Sequence, residues 1–335
     1  MTQQGRALSV LAPAKLNLLL NVLRRRPDRF HDLETVMLSV RLFDTLEFHP
    51  VADDRLELLP TALTAQTPDF PLDQRNLILR AADRLRETVG IRQGVRVVLT
   101  KRIPSEAGLG GGSSDAAATL VGLNRFWKLG LPQKELHRLA AELGSDVNFF
   151  LDSVPAALCS GRGERIQPWS VGNALHFVIV KPPVGLSTGK VFEQWGRIRQ
   201  PNSTPAPMID AAPDTVSNTV SKSNTVSNTA PDPAQAPSAA AAQARLSQLK
   251  SALGAGSVAQ VACCMSNDLE PPARSLCPEI HQVLTSLQGT SSGAAMTGSG
   301  SACFLLCRSA GHARSLAGRF RQMQFGQVWT VSSGV

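Results

Sequence analysis

The densest chemistry in this chain lies in Pro104-Ser105-Glu106-Ala107-Gly108-Leu109-Gly110-Gly111-Gly112-Ser113-Ser114-Asp115. Four glycines in the five residues 108–112 remove Cβ atoms, so successive backbone N–H groups can turn inward around an anion. Ser113 and Ser114 then open an alanine-rich helix whose unsatisfied N–H groups and dipole favour a phosphate. Their hydroxyls can bond a phosphate oxygen, and Ser114 is a candidate ligand for Mg2+. Taken alone, the stretch also suits a surface turn with a serine cap. The β-branched run Val95–Thr100 before it and the helix behind it favour a phosphate loop. Walker A (G-x-x-x-x-G-K-[ST]) is absent; the nearest segment, Gly185–Val191, is one residue short and lacks the final hydroxyl. A Rossmann G-x-G-x-x-G would need glycine where Ser113 stands, and no G-x-S-x-G nucleophile elbow occurs. Two further places carry polar chemistry: Lys15 with Asn17, and Gly144-Ser145-Asp146, which by itself reads as a helix stop followed by an Asx turn.

The elements that must position these groups follow from periodicity. Leu16, Leu18, Leu20 and Val22 alternate with polar residues, which predicts a strand with one apolar face and Lys15, Asn17 and Leu19 on the other. Further strands are expected over 34–42, 45–48, 55–59 and 95–100. Helices are expected over Asn76–Thr88, ending near Gly90, over Ser113–Trp127, and over Gln133–Leu143, ending at Gly144. Helical patterns resume near Ala244 and at Glu279–Leu287. Ala294–Cys307 reads as strand, glycine turn, strand, and a helix near His312–Phe320 and a strand at Val328–Ser332 close the chain. Residues 201–243 hold seven of the 22 prolines and no aromatic residue, too little apolar surface to offset ordering, so a disordered insertion is expected there.

A length of 335 residues provides for two domains. The formal charge of +8 has no basic tail behind it, and its largest local excess, four positive groups, falls in residues 61–130, the segment that holds the phosphate loop. Arg24-Arg25-Arg26 is followed by Asp28 and Asp32 with no interleaved aromatics, which reads as a solvated turn rather than a nucleic-acid surface. No apolar run approaches the length of a membrane span, and six cysteines without a C-x-x-C pair suggest core thiols in a reducing, cytoplasmic setting.

The segment Pro104–Ala117 resembles the phosphate motif of the GHMP small-molecule kinases. Pro13-Ala14-Lys15-Leu16-Asn17 is similar to their first motif, and Met296-Thr297-Gly298-Ser299-Gly300-Ser301 to their third. Arg26–His31, Asn76–Ala82, Gly144–Val147 and Asn267–Glu270 look like the branch that phosphorylates a cytidyl diphosphate alcohol. The resemblance implies an α/β (α+β) fold, with a ribosomal-S5-like N-terminal domain over about 1–170 and a ferredoxin-like C-terminal domain over 171–335. It implies transfer of the ATP γ-phosphoryl group, with Mg2+, to the 2-hydroxyl of a cytidyl-diphosphate-linked methylerythritol in non-mevalonate isoprenoid synthesis. In the resemblance Lys15 and Asp146 are catalytic. Pro104, Gly108, Leu109, Gly110, Gly111, Gly112, Ser113 and Ser114 hold ATP. Asn17, Phe30, His31, Thr188, Phe192, Gly298, Ser299 and Gly300 hold the alcohol, with Phe30, His31 and Phe192 around cytosine. The partners implied are these two small molecules, with neither nucleic acid nor membrane; oligomeric state is left open.

Two residues depart from the family pattern. Phe30 stands where tyrosine is usual, which removes a hydroxyl, and Asn148 stands where proline is usual, which loosens the backbone near Asp146. The alternatives are another GHMP kinase acting on mevalonate, homoserine or a sugar, and a basic nucleic-acid-binding protein.

Overall fold

The structure, a computed structural model, describes residues 7–65, 71–199, 239–288 and 293–334. Two long strands, β1 (Leu8–Arg25) and β2 (His31–His49), pair antiparallel along almost their whole length. They are followed by β3 (Leu56–Pro60), α1 (Ala62–Ala65), α2 (Leu77–Val89), β4 (Val95–Thr100), α3 (Gly111–Phe126), α4 (Gln133–Leu143), α5 (Val147–Leu151), β5 (Ala156–Gly161) and β6 (Arg165–Trp169). The second half runs β7 (His176–Lys181), α6 (Thr188–Arg199), α7 (Ala239–Ala255), α8 (Val258–Cys264), β8 (Ser266–Asn267), α9 (Glu270–Leu276), α10 (Pro278–Gln288), β9 (Ala294–Met296), β10 (Cys303–Cys307), α11 (Ala310–Gln322) and β11 (Gln327–Ser332).

The first sheet has the order β3-β4-β2-β1-β8, with β5 joined to β2 and β6 to β5; the second has the order β11-β7-β10-β9. The second sheet, with its βαββαβ succession interrupted by added helices, is ferredoxin-like. The mixed α/β arrangement expected from the motifs is observed, with one sheet in each half of the chain. Every strand up to Trp169 lies in the first sheet. The later strands lie in the second, except β8, which pairs parallel with β1 at Leu19–Leu20.

Several sequence expectations are corrected. The two strands expected at 34–42 and 45–48 are one strand, because β2 keeps β1 on one side while its other side passes from β5 at Leu33–Leu38 to β4 at Thr45–His49. β1 is not apolar on one face only. Its register shifts between Pro13 and Ala14 and again between Asn17 and Leu19, and Leu18, Leu19 and Leu20 are all buried. Each bulge turns neighbouring side chains to a new face. Leu16 and Leu18 pack with Phe177 and Phe304 of the second sheet, whereas Leu20 and Val22 join the core beneath α9, α10 and α11. β1 therefore lies between the two sheets' cores.

Helix α2 is held as its sequence suggests: Asn76 caps Ile78 N–H at 3.0 Å and Gly90 closes the helix in the left-handed region. Gly144 stops α4, but the chain turns at once into α5 rather than a simple Asx turn. The insertion expected at 201–243 lies outside the described residues as far as 238; residues 239–243 are the first turn of α7, whose Leu246, Leu249 and Leu253 are buried. Five of the cysteines are buried core thiols, but Cys263 is exposed on α8. Among the described residues, no helix is long and apolar enough to cross a membrane.

Candidate active site

Three glycine-bearing or polar segments far apart in sequence meet on β1. Lys15 N–H donates to the Leu109 carbonyl at 3.0 Å, which joins the phosphate loop to the strand. Asn17 N–H donates to Thr297 Oγ1 at 3.0 Å, and Thr297 Oγ1 lies 3.2 Å from both Asn17 Oδ1 and the Gly108 carbonyl. Ala302 N–H donates to the Ala107 carbonyl at 3.1 Å, so the third motif runs alongside the second. This approach is the reason for glycine at 108. Its φ is +73°, and a Cβ there would lie 2.1 Å from the Thr297 carbonyl oxygen. Gly110, also at +73°, forms the N-terminal boundary of α3, where a Cβ would meet the Phe150 ring and the Lys15 stem.

Lys15 is buried at 3% exposure, a costly place for an ammonium unless it is paired. Its Nζ donates to Asn17 Oδ1 at 2.5 Å and stands 3.5 Å from Asp146 Oδ2. Asn17 is fixed in turn: its Nδ2 donates to Thr35 Oγ1 at 2.8 Å, and the Thr35 hydroxyl donates to the Leu19 carbonyl. Asp146 starts α5 without capping it, so its carboxylate remains free to face Lys15 and open space. An ammonium and a partly exposed carboxylate beside a backbone anion cradle suit phosphoryl transfer, which depends on positioning and charge stabilisation.

The third motif is clamped from behind. Asn267 Nδ2 donates to the carbonyls of Met296 and Gly298, each at 2.8 Å, and Ser299 Oγ meets Thr188 Oγ1 at 2.8 Å. Thr188, Gly298 and Ser299 are thus brought together, with Gly300 N–H held by the Thr297 carbonyl. Of the two loop serines, Ser113 lies beside the Gly144 turn that leads to Asp146. Ser114 is buried, its hydroxyl has no hydrogen-bond partner, and it lines a cavity of about 300 Å³ with Ala117, Val121, Leu136 and Phe150. Gly112 is open on its outer side, Gly111 packs against Lys101, and Pro104 is half-buried at the loop's entry.

The aromatic group differs from a pair of free facing walls. His31 stacks on Phe192 with ring centroids 4.7 Å apart and an interplanar angle of 19°, and Trp195 meets its edge at 5.5 Å. Phe192 therefore backs His31, while Phe30 stands 51% exposed with the Arg162 guanidinium over its ring. Burial, with the Arg25 charge nearby, holds His31 below its usual pKa, so it is neutral at pH 7 and presents one donor and one acceptor. Asn148 is also not a loose substitute for proline. It is buried, its Oδ1 accepts from His137 Nδ1 at 2.9 Å, and its Nδ2 donates to the Glu164 carbonyl at 3.3 Å.

Sequence reasoning missed the buried cluster behind the phosphate loop. Lys101 Nζ is bonded to Asp44 and lies 2.9 Å from Asp115 Oδ2, while Asp44 Oδ1 accepts from the backbone of Arg102 and Ile103. One ammonium faces two carboxylates. Burial pushes Asp115 up to about 7, against the pull of Lys101, and its Oδ1 has no partner. The only signal was charge itself: Asp115 stands directly before the alanine run 116–118, and Lys101 directly after the β-branched strand β4.

Residues 76–161 match the GHMP kinases N terminal domain and residues 240–324 the GHMP kinases C terminal domain. The chain is 37% identical over 316 residues to a 4-diphosphocytidyl-2-C-methyl-D-erythritol kinase of Pelotomaculum thermopropionicum, covering 94% of both proteins. It is likewise 37% identical over 310 residues to the enzyme of that name from Mycolicibacterium gilvum, covering 92% of this chain and 84% of the relative. A solved 4-(cytidine 5'-diphospho)-2C-methyl-D-erythritol kinase superposes with a TM-score of 0.70 at 31% identity, covering 98% of this chain and 100% of the other. The homoserine kinase of Cytophaga hutchinsonii, at 18% identity and TM-score 0.67 with 100% and 96% covered, shares the fold. With its glycine loop and Asp146 gathered beside Lys15 of β1 and these relatives matched over most of their length, the chain belongs to the 4-diphosphocytidyl-2-C-methyl-D-erythritol kinase family of GHMP kinases.

Proposed function

We propose that this chain transfers the γ-phosphoryl group of ATP to the 2-hydroxyl of 4-diphosphocytidyl-2-C-methyl-D-erythritol, with the side chains of β1, α5 and the glycine loops in the following roles. The observation that supports it most is the Lys15–Asp146 pair, 3.5 Å apart at the junction of all three motifs. Asp146 accepts the proton of the attacking hydroxyl or orients it. Lys15 pairs with that carboxylate and balances the charge that builds on the nucleophile. Asn17 steadies Lys15 and contacts the erythritol portion. The backbone from Gly108 to Gly112, with Leu109, Pro104 and the Ser113 and Ser114 hydroxyls, encloses the ATP phosphates. Gly298, Ser299, Gly300 and Thr188 border the alcohol, and Phe30, His31 and Phe192 read the cytosine by stacking and by the imidazole edge.

Among the described residues, no group of three or more His, Cys, Asp or Glu is placed to hold a metal ion. The donor set of serine hydroxyls, one of them the orphaned Ser114 Oγ, and the Asp146 carboxylate fits Mg2+ carried in on nucleotide phosphates rather than caged by protein. Bound there, Mg2+ would neutralise charge on the β- and γ-phosphates. The domains divide near residue 170, where the strands pass from one sheet to the other, and a cytoplasmic location accords with both small-molecule ligands. Incubation with Mg-ATP and the cytidyl alcohol tests the reading: ADP and a new phosphomonoester on the 2-hydroxyl are expected, and a phosphate elsewhere or none overturns it.

A further inference from the structure

Arg162 lies in the turn between β5 and β6 and has no role in the sequence motifs. Its guanidinium carbon is 4.9 Å from the centroid of the exposed Phe30 ring. Among the described residues its guanidinium makes one hydrogen bond, a long contact of 3.4 Å to the Ala141 carbonyl, and no carboxylate forms an ion pair with it. Asp28, the nearby acid, is engaged by Arg26 at 2.9 Å. A cation with five donors is thus left almost unused. Its backbone, by contrast, is fixed: Arg162 N–H donates to Glu164 Oε2 at 2.6 Å, and Asn148 holds the Glu164 carbonyl.

The next residue reaches the reaction centre. A Cβ built on Gly163 would stand 3.7 Å from Asp146 Oδ1. The turn therefore runs from the aromatic that is proposed to stack the base to the carboxylate that is proposed to receive the hydroxyl proton. In a cytidyl diphosphate alcohol, the ribose and then the diphosphate lie between base and reacting hydroxyl. Resting on the proposed substrate, we infer that Arg162 is a substrate-binding residue that covers Phe30 in the free enzyme and swings from that ring to pair with the diphosphate when the nucleobase takes its place. An exposed cation–π contact is weak, whereas a guanidinium–phosphate pair is charge-assisted and bidentate, so the exchange runs toward the bound state. The anchored backbone confines the movement to the side chain.

Calorimetric binding of cytidine and of CDP to the wild-type enzyme, Arg162→Gln and Arg162→Lys tests this. Wild type should bind CDP at least about tenfold more tightly than cytidine, the worth of a charged hydrogen bond. Arg162→Gln should lose most of that preference while its cytidine affinity holds or rises, because Phe30 is uncovered; Arg162→Lys should retain part of it. In turnover, the loss should fall on KM for the cytidyl substrate and not on KM for ATP. An unchanged CDP-to-cytidine ratio in Arg162→Gln, or an equal loss of both ligands, overturns the inference with the substrate reading intact. A wild-type enzyme that binds neither ligand overturns the substrate reading and the inference together.

Discussion

At the scale of single residues, the site is an exercise in keeping charge where water cannot. Lys15 is buried, and its ammonium is held by Asn17 and Asp146, with Thr35 and Thr297 fixing Asn17 from two sides. Replacing Asp146 by Asn keeps the shape but removes the proton-accepting carboxylate and the partner charge. We expect kcat to fall by about 10²- to 10⁴-fold, the usual worth of a positioned acid or base, with KM for ATP nearly unchanged. Steady-state kinetics checks this, and near-normal turnover would take Asp146 out of the catalytic role. That Lys15, Asn17 and Asp146 lie together was legible from motif resemblance. Thr35 and Asn267 act by bracing loops or side chains from other segments, and nothing in their local sequence announces which carbonyl or amide they will meet.

At the scale of elements, β1 and α3 carry the site, and each rests on something buried. The first turn of α3 lies against Lys101, with a Cβ at Gly111 only 2.8 Å from its Nζ, and the Asp44–Lys101–Asp115 cluster sits behind the loop. Asp115, raised by burial to about 7, keeps a proton in the folded protein that the unfolded chain releases near the ordinary aspartate value. The folded state therefore binds more protons than the unfolded one between about pH 4 and 7, and stability falls as pH rises through that window. Asp115→Asn should flatten this slope. Urea unfolding of both proteins at several pH values across that window measures it, and parallel slopes would contradict the assignment. Helices were legible here because period and caps are local: Asn76, Gly90 and Gly144 mark real boundaries. The strands were less so. β2 looked broken at 43–44 because its partners change there, and β1 looked one-sided because its bulges, invisible in sequence, turn successive leucines into different cores.

At the scale of the whole molecule, two sheets share a core in which β1 leucines meet Phe177 and Phe304, and the proposed reaction centre sits at that junction. The net charge of +8 fits a body that receives two phosphate-bearing ligands, and Arg24 and Arg26 are paired with Asp28 and Asp32. The proline-rich segment contributes none of the residues assigned to the site. Excising 203–236, which spares the buried leucines of α7, should leave kcat and thermal midpoint unchanged; a clear drop in either would give that segment a structural part. The central claim, that this fold phosphorylates a cytidyl alcohol, is met most directly by following ADP release with Mg-ATP against matched panels of the cytidyl alcohol, mevalonate, homoserine and a sugar. The account predicts rapid turnover of the cytidyl alcohol alone, lost with Asp146→Asn. Turnover of mevalonate or homoserine with the cytidyl alcohol left untouched would contradict it.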